Sequence, residues 1–151
     1  RAKGAHPILV TPTSRRRFDE NGKSVNTHGD YPDAVRWVAA KENVPLIELN
    51  GMTAILFNAL GVDNSTKAFV HYPAGTFPGQ TRTLKDNTHF STYGAYEVSK
   101  CVIEGMKKAD LEIVKYLRPD YSGFDPAQPD SFESFKWNLG SFTENEKPDG
   151  N

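Results

Sequence analysis

The feature that most constrains this chain is a short unbroken apolar run, Pro7-Ile8-Leu9-Val10-Thr11, closed by Pro12. With no polar residue alternating in, such a run suits a strand buried on both faces of a parallel sheet. Residues 1–5 then read as the end of a preceding helix. The segments after Pro12 have the matching grammar. Pro32 stands where a first helical turn accepts proline, Val35, Val38 and Ala39 form one apolar stripe up to Glu42, and Asn43 ends that helix. Residues 44–49 read as a second strand. Asn50 is placed to cap a second helix carrying Met52, Ile55, Leu56, Ala59 and Leu60, which Gly61 and Val62 close. From Ser91, the spacing of Ala95, Val98, Val102, Met106 and Ala109 predicts a third helix to Lys108, with a further turn or two reaching Leu117 before Arg118-Pro119. Strand, helix, strand, helix, helix is an α/β order.

The connections differ from these elements in composition. Residues 13–29 are polar, with Arg15, Arg16 and Arg17 just past the first strand and a turn signal at Glu20-Asn21-Gly22-Lys23 that suits a small hairpin. Residues 63–85 contain Pro73, Gly75, Pro78 and Gly79, and a connection this long is expected to be functional. Beyond Pro119 the chain turns irregular, and Phe132, Phe135, Trp137 and Phe142 are expected to pack it against the body, with sugar stacking as the less favoured use of Trp137.

With 18 basic against 19 acidic residues the formal net charge is -1, so no excess field draws this protein to nucleic acid or to an anionic membrane. No apolar run approaches the ~20 residues of a membrane-spanning helix. The single cysteine, Cys101, lies beside Val102 and Ile103 in the third helical pattern and reads as a buried, inert thiol. A His-x-x-x-His spacing is absent, so neither a zinc site nor any other cofactor is expected.

The chemistry concentrates at Asp86-Asn87-Thr88-His89-Phe90, immediately before the third helix. A carboxylate three residues before a histidine can hold one ring nitrogen and leave the other to accept a proton from a hydroxyl nucleophile. No Gly-Asp-Ser segment and no Gly-x-Ser-x-Gly elbow supplies that nucleophile. The arginines after the first strand could meet the carboxylates of an acidic polysaccharide such as pectin, or serve as solvated or structural ion-pairing groups. His28, beside Gly29 and Asp30, could contact substrate or pack near the following helix start.

Three blocks together, Pro7-Ile8-Leu9-Val10-Thr11-Pro12 with Arg15-Arg16, Thr27-His28-Gly29-Asp30-Tyr31-Pro32, and Asp86-Asn87-Thr88-His89-Phe90, resemble the second half of a GDSL/SGNH hydrolase of the rhamnogalacturonan acetylesterase-like branch. The resemblance runs from about Ala5 to Leu117. It implies a flavodoxin-like three-layer α/β/α fold, incomplete here without its N-terminal strands. It also implies a serine nucleophile with a glycine amide and an asparagine side chain in the oxyanion hole. On the matching positions His89 would be the general base and Asp86 its orienting carboxylate. Arg15, Arg16 and His28 are the expected substrate contacts.

The serine, glycine and asparagine blocks precede the first strand in such proteins and have no counterpart here. The expectation is therefore that residues 1–118 are the C-terminal segment of a longer domain, with roughly 100 residues before them, and that 119–151 are an aromatic-rich tail. The partners implied are an acetylated polysaccharide or oligosaccharide and the missing N-terminal segment, without nucleic acid or membrane. The localisation implied is secreted or periplasmic. A catalytically incomplete carbohydrate-binding or scaffold module is the competing reading, and a lipase- or thioesterase-like relative is disfavoured by the polar loops around Asp86.

Overall fold

A computed structural model describes residues 1–136. Two small sheets and three helices make up the body. Strand β1 (Leu9–Val10) pairs in parallel with β2 (Leu46–Ile47), and β3 (Phe69–Tyr72) pairs antiparallel with β4 (Leu84–Phe90). Helices α1 (Tyr31–Lys41), α2 (Leu49–Asn64) and α3 (Thr92–Lys108) surround them. A 3-10 turn, Ser65–Ala68, links α2 to β3, and another, Glu112–Tyr116, follows α3.

The expected β1–α1–β2–α2 order is present, with local chemistry setting the ends. Pro32 lies in the first turn of α1, and Asn43 takes up a positive φ of 48° to leave it. Helix α2 begins at Leu49 rather than after Asn50, because the Glu48 carboxylate accepts the Gly51 N–H as its cap. Gly61, with φ 73° and ψ 177°, breaks that helix where closure is expected, and a further turn carries it to Asn64. Residues 1–5 are not the end of a helix. They form a turn in which Arg1 donates to the Glu42 and Asn43 carbonyls and thereby satisfies the C-terminal end of α1. In the 13–29 loop, an isolated bridge between Phe18 and Ser24 forms the small hairpin.

The core is Ile47, Leu49, Leu56, Phe57, Ala68, Phe69, Tyr93, Val98 and Cys101. Burial pushes the Cys101 thiol up to about 12, as an inert core cysteine requires. The stripes on α2 and α3 are rotated from their expected positions. On α2 the fully buried side chains are Thr53, Leu56 and Phe57, while Ile55 and Ala59 are exposed.

On α3, Ala95 is exposed, whereas Tyr93, Glu97 and Lys100 are buried because residues after Pro119 cover that side. Lys100 lies 2.8 Å from both Glu97 and Asp130, the Tyr93 hydroxyl donates to the Asp130 carbonyl, and Phe132 and Phe135 pack on the Tyr93 ring at 5.3 and 5.5 Å. Paired charges are the condition on which Glu97 and Lys100 can be buried at all. Trp137 and Phe142 lie outside the described residues. Among those described, β1 pairs only with β2, and Ile8 and Val10 remain 40% and 42% exposed beside it.

Candidate active site

The long connection at 63–85 is largely ordered secondary structure, namely the 3-10 turn, β3 and the start of β4. The register of that hairpin explains how the Asp86–His89 motif is displayed. Phe69 pairs with Phe90 and His71 with Lys85, so the single residue Val70 on β3 faces the four residues 86–89 on β4. The motif is therefore a wide bulge within an antiparallel ladder, a device that re-aims side chains next to functional sites. Its far end is fixed by Phe90, whose ring lies 5.1 Å from Phe69 and 6.5 Å from Phe57. Ser91 then caps α3 by accepting the Gly94 N–H.

Within the bulge Asp86 uses both carboxylate oxygens. Its Oδ1 accepts the backbone N–H groups of Thr88 (2.7 Å) and His89 (3.0 Å), and its Oδ2 lies 2.7 Å from His89 Nδ1. The hydrogen bonds from the His89 backbone and ring and from the Thr88 backbone hold the Asp86 carboxyl down at about 2. An ionised carboxylate can only accept, so Nδ1 carries a proton, and in the neutral imidazole Nε2 is then the nitrogen with the lone pair. The His89 side chain is 78% exposed, leaving that nitrogen open to an incoming group. This arrangement is suited to taking a proton from a hydroxyl while the resulting imidazolium is stabilised from behind.

The depressed Asp86 pKa has a consequence for stability against pH. The carboxylate contributes stability above its ordinary value of 3.8 and loses it as pH falls toward about 2. Asp86→Asn should therefore lose less stability than the wild type between neutral pH and about pH 2, measured as the shift in urea midpoint. Equal acid sensitivity would contradict the hydrogen-bonding assigned to the carboxylate.

The other expected site residues, Arg15, Arg16 and His28, lie in the loop between β1 and α1. Arg15 is exposed in the loop after β1. The Arg16 guanidinium is engaged internally, donating to Ser65 Oγ (3.0 Å), the Val62 carbonyl (2.6 Å) and Asn87 Oδ1 (3.2 Å). His28 Nε2 lies 2.8 Å from the Thr13 carbonyl, and its backbone N–H donates to Asn26 Oδ1, which pins the loop before α1. Sequence reasoning missed His71, whose Nε2 meets Asn87 Oδ1 at 2.8 Å. Only the register across the hairpin makes that contact, and no local signal announces it. It also missed the ion-pair network at the end of β2, where Arg36 grips Glu48 through Nε (2.6 Å) and Nη2 (2.7 Å) and Thr11 Oγ1 donates to the same carboxylate. The Arg36 contact chiefly lowers the Glu48 pKa. No group of three metal-ligating side chains occurs among the described residues.

An α/β chain that displays a hydrogen-bonded Asp-x-x-His on a bulge before a helix has an arrangement compatible with the acid/base half of a hydrolase site. Comparison with known proteins narrows that class. Over 117 residues, 78% of this chain, it is 44% identical to rhamnogalacturonan acetylesterase RhgT of Bacillus subtilis (strain 168). Over the same length it is 35% identical to a probable rhamnogalacturonan acetylesterase, YesY, of the same organism. Over this length the chain is similar to proteins named rhamnogalacturonan acetylesterases. It spans about half the length of these curated relatives, 50% and 49%. No family model and no solved structure matches it. Among the described residues, no helix is long and apolar enough to cross a membrane.

Proposed function

We propose that this chain is the acid/base part of a serine esterase that removes acetyl groups from a plant cell-wall polysaccharide of the rhamnogalacturonan or pectin type. The nucleophilic serine and the oxyanion-hole donors lie in a segment outside these residues. The observation that carries the reading is the exposed His89, oriented by Asp86 at 2.7 Å, in a chain 44% identical to a named acetylesterase of this type.

In the reaction His89 Nε2 takes the serine proton as Oγ attacks the acetyl carbonyl, then gives it to the departing sugar oxygen. The same nitrogen next activates water, which releases acetate and frees the serine. Asp86 stays ionised throughout and stabilises the imidazolium. Arg15, exposed in the loop after β1, meets carboxylates of the polymer, with Arg16 and His28 as further contacts from the same loop.

In this reading residues 1–118 complete a flavodoxin-like three-layer α/β/α fold, and 119–151 form its tail. The exposure of Ile8 and Val10 beside β1 supports the view that further strands add there. Secretion or periplasmic export suits a polymeric substrate of this kind.

Acetate release from acetylated rhamnogalacturonan, with the alkali-deacetylated polymer as blank, tests the proposal in the natural full-length polypeptide. The expected outcome is release of acetate, and cleavage of a two-carbon over an eight-carbon acyl ester favoured at least ~10-fold, the order of discrimination a binding pocket supplies. A folded protein that binds the polymer and releases no acetate would leave a carbohydrate-binding module as the function.

A further inference from the structure

The bulge that carries Asp86 and His89 has an excess of three residues over its partner strand, so the ladder itself does not hold it. Its tip is held instead through Asn87. The Arg16 backbone N–H donates to the Asn87 carbonyl at 2.9 Å, and Arg16 Nη1 donates to Asn87 Oδ1 at 3.2 Å. His71 Nε2 meets the same Oδ1 at 2.8 Å. A guanidinium can only donate, so Oδ1 is the acceptor and the His71 nitrogen is a second donor to it. Arg16 is in turn tied to the break in α2 through the Val62 carbonyl and to the 3-10 turn through Ser65 Oγ. The loop after β1 and strand β3 thus converge on one amide of β4 between the two proposed catalytic residues, and Arg16 links it onward to the end of α2.

We infer that Asn87 is a positioning residue, clamped by Arg16 and His71 so that the Asp86–His89 pair keeps the geometry required for proton transfer. The inference rests on the esterase reading for its kinetic consequence and on geometry alone for its structural one. A rigidly held general base matters because a displacement of about 1 Å costs on the order of 100-fold in rate.

The test uses Asn87→Ala, Asn87→Asp and His71→Ala, with His89→Ala as control, in the natural full-length polypeptide. Two readouts are taken: kcat and KM on a small acetyl ester, and the proton NMR resonance of the hydrogen-bonded His89 Nδ1–H. Asn87→Ala should lower kcat roughly 10- to 100-fold with KM within about 2-fold, and should broaden or lose the Nδ1–H resonance. Asn87→Asp retains the Oδ1 acceptor that Arg16 and His71 share and should recover kcat to within several-fold of wild type. His71→Ala, which removes one donor only, should fall between, and it carries the test if Asn87→Ala does not fold.

An unchanged kcat and resonance in Asn87→Ala, or equal loss in Asn87→Ala and Asn87→Asp, would overturn the clamp. Should Asn87→Ala not fold, an unchanged kcat and resonance in His71→Ala would overturn it as well. Full activity in His89→Ala would instead defeat the esterase reading, while the resonance would still report on the clamp.

Discussion

His89→Ala should reduce kcat for acetyl ester hydrolysis by roughly 10⁶-fold without altering the fold. The side chain is exposed, its one hydrogen bond is to Asp86, and the backbone N–H that Asp86 also accepts survives the substitution. Nothing in the core changes, so the loss is that of the general base itself. Asp86→Asn should cost less, on the order of 10⁴-fold. The amide can still reach Nδ1 but can do so as a donor, which selects the tautomer whose Nε2 is already protonated and cannot act as a base. Steady-state kinetics alongside circular dichroism separate the two variants. Equal activity in both variants and wild type would remove Asp86 and His89 from the mechanism.

Gly94→Ala should destabilise the fold by roughly 3–5 kcal/mol, the range of the severe single substitutions. A Cβ at this position would lie 1.9 Å from the Ala68 carbonyl oxygen and 2.7 Å from its carbon, and neither is a flexible side-chain end that can swing away. That contact is where α3 meets the 3-10 turn. Ser91 N donates to the same Ala68 carbonyl at 3.1 Å, and Ser91 Oγ donates to the Lys67 carbonyl at 2.6 Å. Forcing the helix outward would break both bonds and pull on Phe90, the anchor next to His89. Activity should therefore fall with stability. Gly105→Ala tests the explanation, since its Cβ would meet the Ile47 Cγ2 at 2.5 Å, a side chain on a short strand that can give. Its cost should be smaller, about 1–3 kcal/mol. Chemical denaturation midpoints give the comparison, and a Gly94→Ala protein as stable as wild type would contradict the close approach.

Where local chemistry decides, the reading and the structure agree: Pro32 opens α1, Asn43 leaves it, Gly61 interrupts α2, and Ser91 starts α3. The pairing of Asp86 with His89 is of the same kind, because three residues of separation suffice to bring their side chains together.

The hairpin of β3 and β4 is hidden in the sequence because Phe69–Tyr72 is only four residues long and the return strand begins beyond a Pro- and Gly-rich loop. The buried side of α3 is hidden for a different reason. Glu97 and Lys100 lie outside the expected apolar stripe and are buried in a cluster where Lys100 pairs with both Glu97 and Asp130. Likewise Arg16, His71 and Asn87 are ordinary polar residues in sequence, and their clamp exists only once the segments that carry them have met.

The most direct measurement of the central claim is covalent labelling by a fluorophosphonate probe, which reacts with a serine only when a neighbouring base activates it. It would be followed by intact mass in the natural full-length polypeptide and in its His89→Ala variant. The account predicts one probe adduct in the wild type, mapping to a serine outside residues 1–151, and labelling at least ~100-fold slower in the variant. Labelling that proceeds equally fast without His89, or no labelling of the folded wild type, would contradict it.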